Sequence, residues 1–131
     1  MIPEDTPIKF CYEYFQDAVY QAYYERKPLL LIFADLSEPT NLAFLNAILE
    51  DDVETWEALT NEWLVYGIEN GQSAEAQNLT IDFGIAEVPF FASIMPRTHA
   101  DYSTLEEYKD PLDHENFRDF LKRSKDTFRL L

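Results

Sequence analysis

Residues Leu29 to Ala34 form an unbroken apolar run, Leu-Leu-Leu-Ile-Phe-Ala, closed by Pro28 on one side and by Asp35-Leu36-Ser37-Glu38-Pro39-Thr40 on the other. The run is far shorter than the roughly 18 residues that a spanning helix needs. It also lacks the polar–apolar alternation of a half-exposed strand. A strand buried on both faces fits it, and such a strand requires covering layers above and below and is often parallel to its neighbours.

The rest of the chain reads as those layers. The first ten residues, with Pro3 and Pro7, form an extended lead-in, and residues 11–131 are expected to make one domain. From about Tyr12 to Arg26 the pattern is helical, with Phe15, Ala18, Val19, Ala22 and Tyr23 on one face. Tyr12, Tyr20 and Tyr24 fall off that stripe, as half-exposed rings over the sheet edge or as part of a contact surface. After the buried run, Thr40 to Leu49 reads as a helix, and Asp51-Asp52-Val53-Glu54 opens a short helical piece ending at Leu59.

Trp63 to Ile68 is the next strand, and Ser73 caps a helix that Gly84 closes. Val88 to Met95 is a third strand with Pro89 near its start, where a strand tolerates proline. A polar loop over Arg97 to Ser103 leads to a short edge strand over Leu105 to Lys109. Asp113 to Phe128 is an amphipathic helix with Phe117, Phe120, Leu121, Ser124 and Phe128 inward. Strands alternating with helices in this order predict an α/β layered domain whose first strands are parallel.

Charge and cysteine content narrow the function. The chain carries 25 acidic against 10 basic residues, a formal net charge of −15. Between Pro28 and Pro96 there are twelve acids and no Lys or Arg. Such a surface repels nucleic acid and anionic membranes and favours basic partners, although it also serves solubility alone. No signal peptide or membrane insertion is expected, and the cytoplasm is the expected location. One cysteine, Cys11, permits neither an internal disulfide nor a CxxC pair, and it is expected as a packed or half-exposed thiol. With only His99 and His114 besides, no metal site and no cofactor is expected.

The segment Phe33-Ala34-Asp35-Leu36-Ser37-Glu38-Pro39-Thr40 resembles the active-site stretch of thioredoxins, where the tetrad is Cys-Gly-Pro-Cys. Here the inner proline remains and both cysteines are replaced, by Ser37 and Thr40. Val88-Pro89-Phe90 resembles the family's cis-proline segment, which faces that site. Within the superfamily the likeness is narrower. Phe15-Gln16-Asp17-Ala18 through Lys27-Pro28-Leu29-Leu30-Leu31-Ile32 is similar to the opening of UAS domains, as are Glu62-Trp63-Leu64-Val65-Tyr66-Gly67 and the Val88–Ile94 stretch to later parts of these domains, found in Fas-associated factors and other UBX-domain proteins of the ubiquitin–segregase pathway. No UBX or UBA portion is visible, so the segregase ATPase is not carried over as a partner. The resemblance implies a three-layer α/β/α sandwich with a mixed central sheet and a cis bond at Pro89.

The chemistry expected of that site is binding. Thiol–disulfide exchange needs a thiolate and a resolving thiol, and hydroxyls are too weakly acidic to replace them. Ser37 or Thr40 is instead expected to cap the following helix. A serine triad would need a base beside Ser37; His99 is the one residue expected to approach the tetrad loop, and no GxSxG elbow is present. The pairs Asp51-Asp52 and Glu106-Glu107 read as caps or solvated faces, and Gly67, Gly71 and Gly84 are too isolated for a phosphate loop. No catalytic residue is assigned.

In the thioredoxin fold the groove between tetrad and cis-proline accepts an extended peptide. Leu36, Ser37, Glu38, Pro39, Thr40, Val88 and Pro89 are the residues expected to form it here, with Phe90 as an apolar flank. Asp35, Glu38 and Glu87 at its mouth point to a basic protein segment as partner. Two alternatives stand beside this reading, the first of them implied by the UAS likeness. One is a sensor of long-chain fatty acids, for which Lys122, Arg123, Lys125 and Arg129 are the only candidate cations. The other is a structural spacer.

Overall fold

The computed structural model describes residues 14–35, 37–48, 52–69, 71 and 73–130. The lead-in over residues 1–10, Cys11, Tyr12, Leu36, Leu49 and Asp51 lie outside them. The elements are α1 (Phe15–Glu25), β1 (Leu29–Ala34), α2 (Pro39–Asn46), α3 (Val53–Asn61), β2 (Leu64–Glu69), α4 (Ala74–Phe83), β3 (Phe90–Pro96), β4 (Tyr102–Glu107) and α5 (His114–Leu130).

The four strands form one mixed sheet in the order β2-β1-β3-β4. β1 runs parallel to β2, from Leu29↔Leu64 to Ala34↔Glu69, and antiparallel to β3, from Leu29↔Ile94 to Phe33↔Phe90. All six β1 side chains are buried, as the apolar run requires. Their alternation feeds two cores. Leu30, Ile32 and Ala34 pack with Phe44, Leu45, Leu59, Phe91 and the α5 residues Phe117, Phe120 and Leu121. Leu29, Leu31 and Phe33 pack on the other face with α1, α4, Tyr66 and Ile94. The result is the three-layer arrangement, with α1 and α4 on one side and α2, α3 and α5 on the other.

Local chemistry explains the element ends. Ser73 Oγ accepts the Ala76 N–H at 3.1 Å and caps α4, and Gly84 closes that helix at φ 62°. Arg26 closes α1 in the same left-handed conformation, at φ 58°. Ser124 faces inward because its hydroxyl meets that of Ser93 at 2.7 Å, and Ser93 also donates to the Glu106 carbonyl at 3.2 Å.

Three expectations need correction. Tyr23 is 46% exposed, because it sits on the shoulder of the α1 stripe, turned about 80° from Phe15 at 100° per residue. β3 starts at Phe90, since Pro89 has no N–H to offer the ladder. β4 starts at Tyr102 instead of Leu105: Arg97 N and Thr98 N both donate to the Asp101 carbonyl, so the loop closes early and Tyr102 pairs with Pro96.

Candidate functional site

The end of β1 leads directly into the turn before α2. Asp35 N donates to Oδ1 of the buried Asn41 at 3.1 Å, which ties the strand end to the helix. The Asp35 carboxylate then accepts from Ser37 N at 3.0 Å and from Ser37 Oγ at 2.6 Å. Those two bonds, the hydroxyl's first, hold the Asp35 carboxyl below the usual carboxylate range. Glu38 caps α2: its Oε1 accepts the Thr40 N–H at 2.9 Å, with Pro39 in the first turn where its missing N–H costs nothing. The cap is therefore Glu38, not Ser37 or Thr40. A carboxylate suits that position because it meets the positive end of the helix dipole.

Val88–Pro89 is a cis peptide bond, as the resemblance implied. The register places it: Phe33↔Phe90 is the last β1–β3 pair, and Asp35 and Val88 each lie two residues beyond it on adjacent strands. The Ser37–Thr40 turn and the Val88–Pro89 segment thus leave the same end of the sheet. Val88 and Phe90 pack partly into the α1/α4 core, while Ser37, Pro39, Thr40 and Glu87 are exposed. Leu36, the remaining expected groove residue, lies outside the described residues.

Beside this turn lies a groove of about 570 Å³ between α2 and the start of α5, lined among others by Pro39, Thr40, Ala43, Leu112 and His114. Sequence reasoning did not join α5 to the site. Its one available signal is Leu112, an isolated leucine before the helix that remains 42% exposed. No hydrogen bond links Thr40 to His114 among the described residues. His99 sits in the turn after β3, at the opposite end of the sheet from Ser37, with its ring 6.4 Å from Tyr20. That placement rules it out as a base for Ser37, because β3 runs away from the tetrad.

The cations of α5 are largely committed. Lys125 and Arg129 meet Glu62 at 3.6 and 3.9 Å, and Arg123 meets Glu106 at 2.7 Å and Asp110 at 3.7 Å. Arg118 bridges Asp52 and Glu54. Among the described residues no cluster of three His, Cys, Asp or Glu could hold a metal ion. Among them, too, no helix is long and apolar enough to cross a membrane.

Comparison with solved structures settles the architecture. A thioredoxin from Thermus thermophilus superposes with a TM-score of 0.71 at 14% identity, covering 84% of this chain and 82% of its own. The fold is thioredoxin-like. A DsbH oxidoreductase superposes with a TM-score of 0.69 at 15% identity, over 88% of this chain and 83% of its own. At such identities the likeness speaks for the fold alone. No family model and no curated protein matches the chain.

Proposed function

We infer that the chain is a thioredoxin-like domain without thiol–disulfide chemistry that serves as a protein-interaction module. It takes an extended, basic peptide segment at the end of the sheet from which the Ser37–Thr40 turn and the Val88–Pro89 segment leave, Leu36 being the remaining expected groove residue. The observation that carries this reading is the chemistry at the start of α2. Where a redox protein of this fold presents a thiol, Ser37 Oγ is engaged with Asp35 at 2.6 Å, and the helix end already holds the Glu38 carboxylate. A hydroxyl so placed is neither acidic nor free, and a resident carboxylate disfavours a second anion.

The same carboxylates favour cations. Asp35, held charged by Ser37, stands with Glu38 and Glu87 around the expected groove. Each exposed ion pair contributes at most about 1 kcal/mol, so the affinity is modest and falls with added salt. The UAS likeness adds a cytoplasmic setting in the ubiquitin pathway. Against the fatty-acid alternative, three of its four candidate cations are paired: a carboxylate ligand would have to pull Arg123 from Glu106 and Lys125 and Arg129 from Glu62, which leaves Lys122 alone without a carboxylate within 4.0 Å.

An NMR titration with a Lys/Arg-rich peptide tests the proposal. Shifts clustered on Asp35 to Thr40 and Glu87 to Pro89 are expected. Saturable binding that leaves those residues unmoved, or no binding at low salt, would overturn it.

A further inference from the structure

The opposite end of the sheet has the opposite character. Around the end of β3, Tyr23, Tyr24 and Arg26 of the α1 terminus, Met95 and Arg97 of the strand exit, and Phe128 of α5 line a groove of about 680 Å³. Tyr24 is 74% exposed and Tyr23 46%. Tyr20 extends the aromatic surface, stacking on Tyr24 at 6.5 Å. Tyr, Met and Arg are the residue types enriched where proteins bind each other, because they offer large contact area together with a polar handle.

Its charge is what singles this face out. Apart from Lys9, outside the described residues, six basic residues have a carboxylate within 4.0 Å: Lys27, Lys109, Arg118, Arg123, Lys125 and Arg129. Among the described residues only Arg26, Arg97 and Lys122 have none, in a chain with 25 acids. Two of those three line this groove, and no acid lines it. Arg97 is also oriented, its Nε donating to Ser103 Oγ at 2.8 Å.

Arg26 occupies a left-handed helix end, φ 58°, the conformation for which α4 uses Gly84. An arginine there gives up the conformational ease of glycine. It places a cation beside exposed tyrosine faces.

We propose that this face is a second interaction site, for an acidic peptide segment of a partner protein carrying an apolar or aromatic side chain among its carboxylates. The apolar side chain lies against Tyr23, Tyr24, Met95 and Phe128, and the flanking carboxylates meet Arg26 and Arg97. Guanidinium suits carboxylate because its planar donors match two oxygens at once. The site is independent of the groove at Val88 and Pro89, and its partner has the opposite charge.

The test is fluorescence anisotropy of a short labelled peptide of Asp and Glu around a central Leu-Phe pair, with the full chain. Saturable binding is expected, weakened up to about fivefold by Arg26→Gly or Arg97→Gln, more by the two together, and further by Tyr24→Ala. Arg26→Gly relaxes the left-handed helix end, so its melting temperature is expected not to fall and lost binding cannot be blamed on unfolding. No binding, binding unchanged in the Arg26→Gly/Arg97→Gln double variant, or equal binding of a neutral peptide with the same core would overturn the proposal. So would self-association, or sedimentation with phosphatidylserine vesicles, that the double variant abolishes while the acidic peptide fails to bind.

Discussion

Asp52 joins α3 to α5, and its removal tests the packing of that layer. The residue is 7% exposed. Its Oδ1 accepts the Thr55 N–H at 3.3 Å and an Arg118 nitrogen at 3.3 Å, and its Oδ2 accepts the Thr55 hydroxyl at 2.9 Å. Asp52→Ala removes a helix cap, about 1 kcal/mol. It also leaves the fully buried Thr55 hydroxyl without its acceptor, about 1–3 kcal/mol more. The Arg118 pair adds little, about 0–1 kcal/mol, since Glu54 at 3.4 Å remains a partner. The expected loss is about 3 kcal/mol. Asp52→Asn keeps an oxygen for the cap and a donor for the Thr55 hydroxyl to accept, so it costs about 1 kcal/mol. In urea, with a slope of about 1.5 kcal/mol per molar, the midpoint falls by about 2 M for the alanine variant and by less than about 1 M for the asparagine variant. Equal effects of the two substitutions, or an alanine variant within about 0.5 kcal/mol of wild type, would refute the assignment of Asp52 as a buried double acceptor.

Other expectations follow from single contacts. Phe117 is fully buried, with ring centroids 5.0 Å from Phe91 and 5.3 Å from Tyr108, so Phe117→Ala is expected to cost about 3–5 kcal/mol in urea unfolding. Gly84→Ala meets no steric clash, yet the left-handed backbone there makes it about 1 kcal/mol destabilising, measurable as a lower melting temperature. Ser37→Ala is expected to raise the Asp35 pKa toward its ordinary value, read by carboxyl-carbon NMR titration; an unmoved midpoint would detach Ser37 from it. Folded Asp35 releases its proton more readily than the unfolded chain does. Its contribution to stability is therefore complete above the unfolded carboxylate pKa of about 4 and is lost as pH falls through the folded value.

Features with a local cause were legible in the chain itself. The run Leu29–Ala34 announces a strand buried on both faces, and each of its side chains finds one of two cores. Ser73 and Gly84 mark both ends of α4 because capping is decided within a few residues. What depended on strand direction was not legible. His99 follows β3 by three residues, and only the antiparallel pairing with β1 sends it away from Ser37. Likewise, the Tyr/Arg face combines residues as distant as Tyr23 and Phe128, a juxtaposition no local pattern encodes. At the tetrad, the thioredoxin resemblance pointed to the turn, but not to Glu38 as the residue that would take the cap in place of Ser37 or Thr40. Its carboxylate reaches forward to accept the Thr40 N–H while Ser37 turns back to Asp35.

Calorimetric titration of a Lys/Arg-rich peptide into the wild type and two double variants tests the interaction-module reading most directly. Glu38→Gln/Glu87→Gln removes two groove charges while the new amide at the α2 cap still offers an oxygen to Thr40 N, and Arg26→Gly/Arg97→Gln alters only the far end. Salt-sensitive binding that the first variant loses and the second keeps is the predicted result. Binding kept by the first variant, or absent from the wild type at low salt, would contradict it.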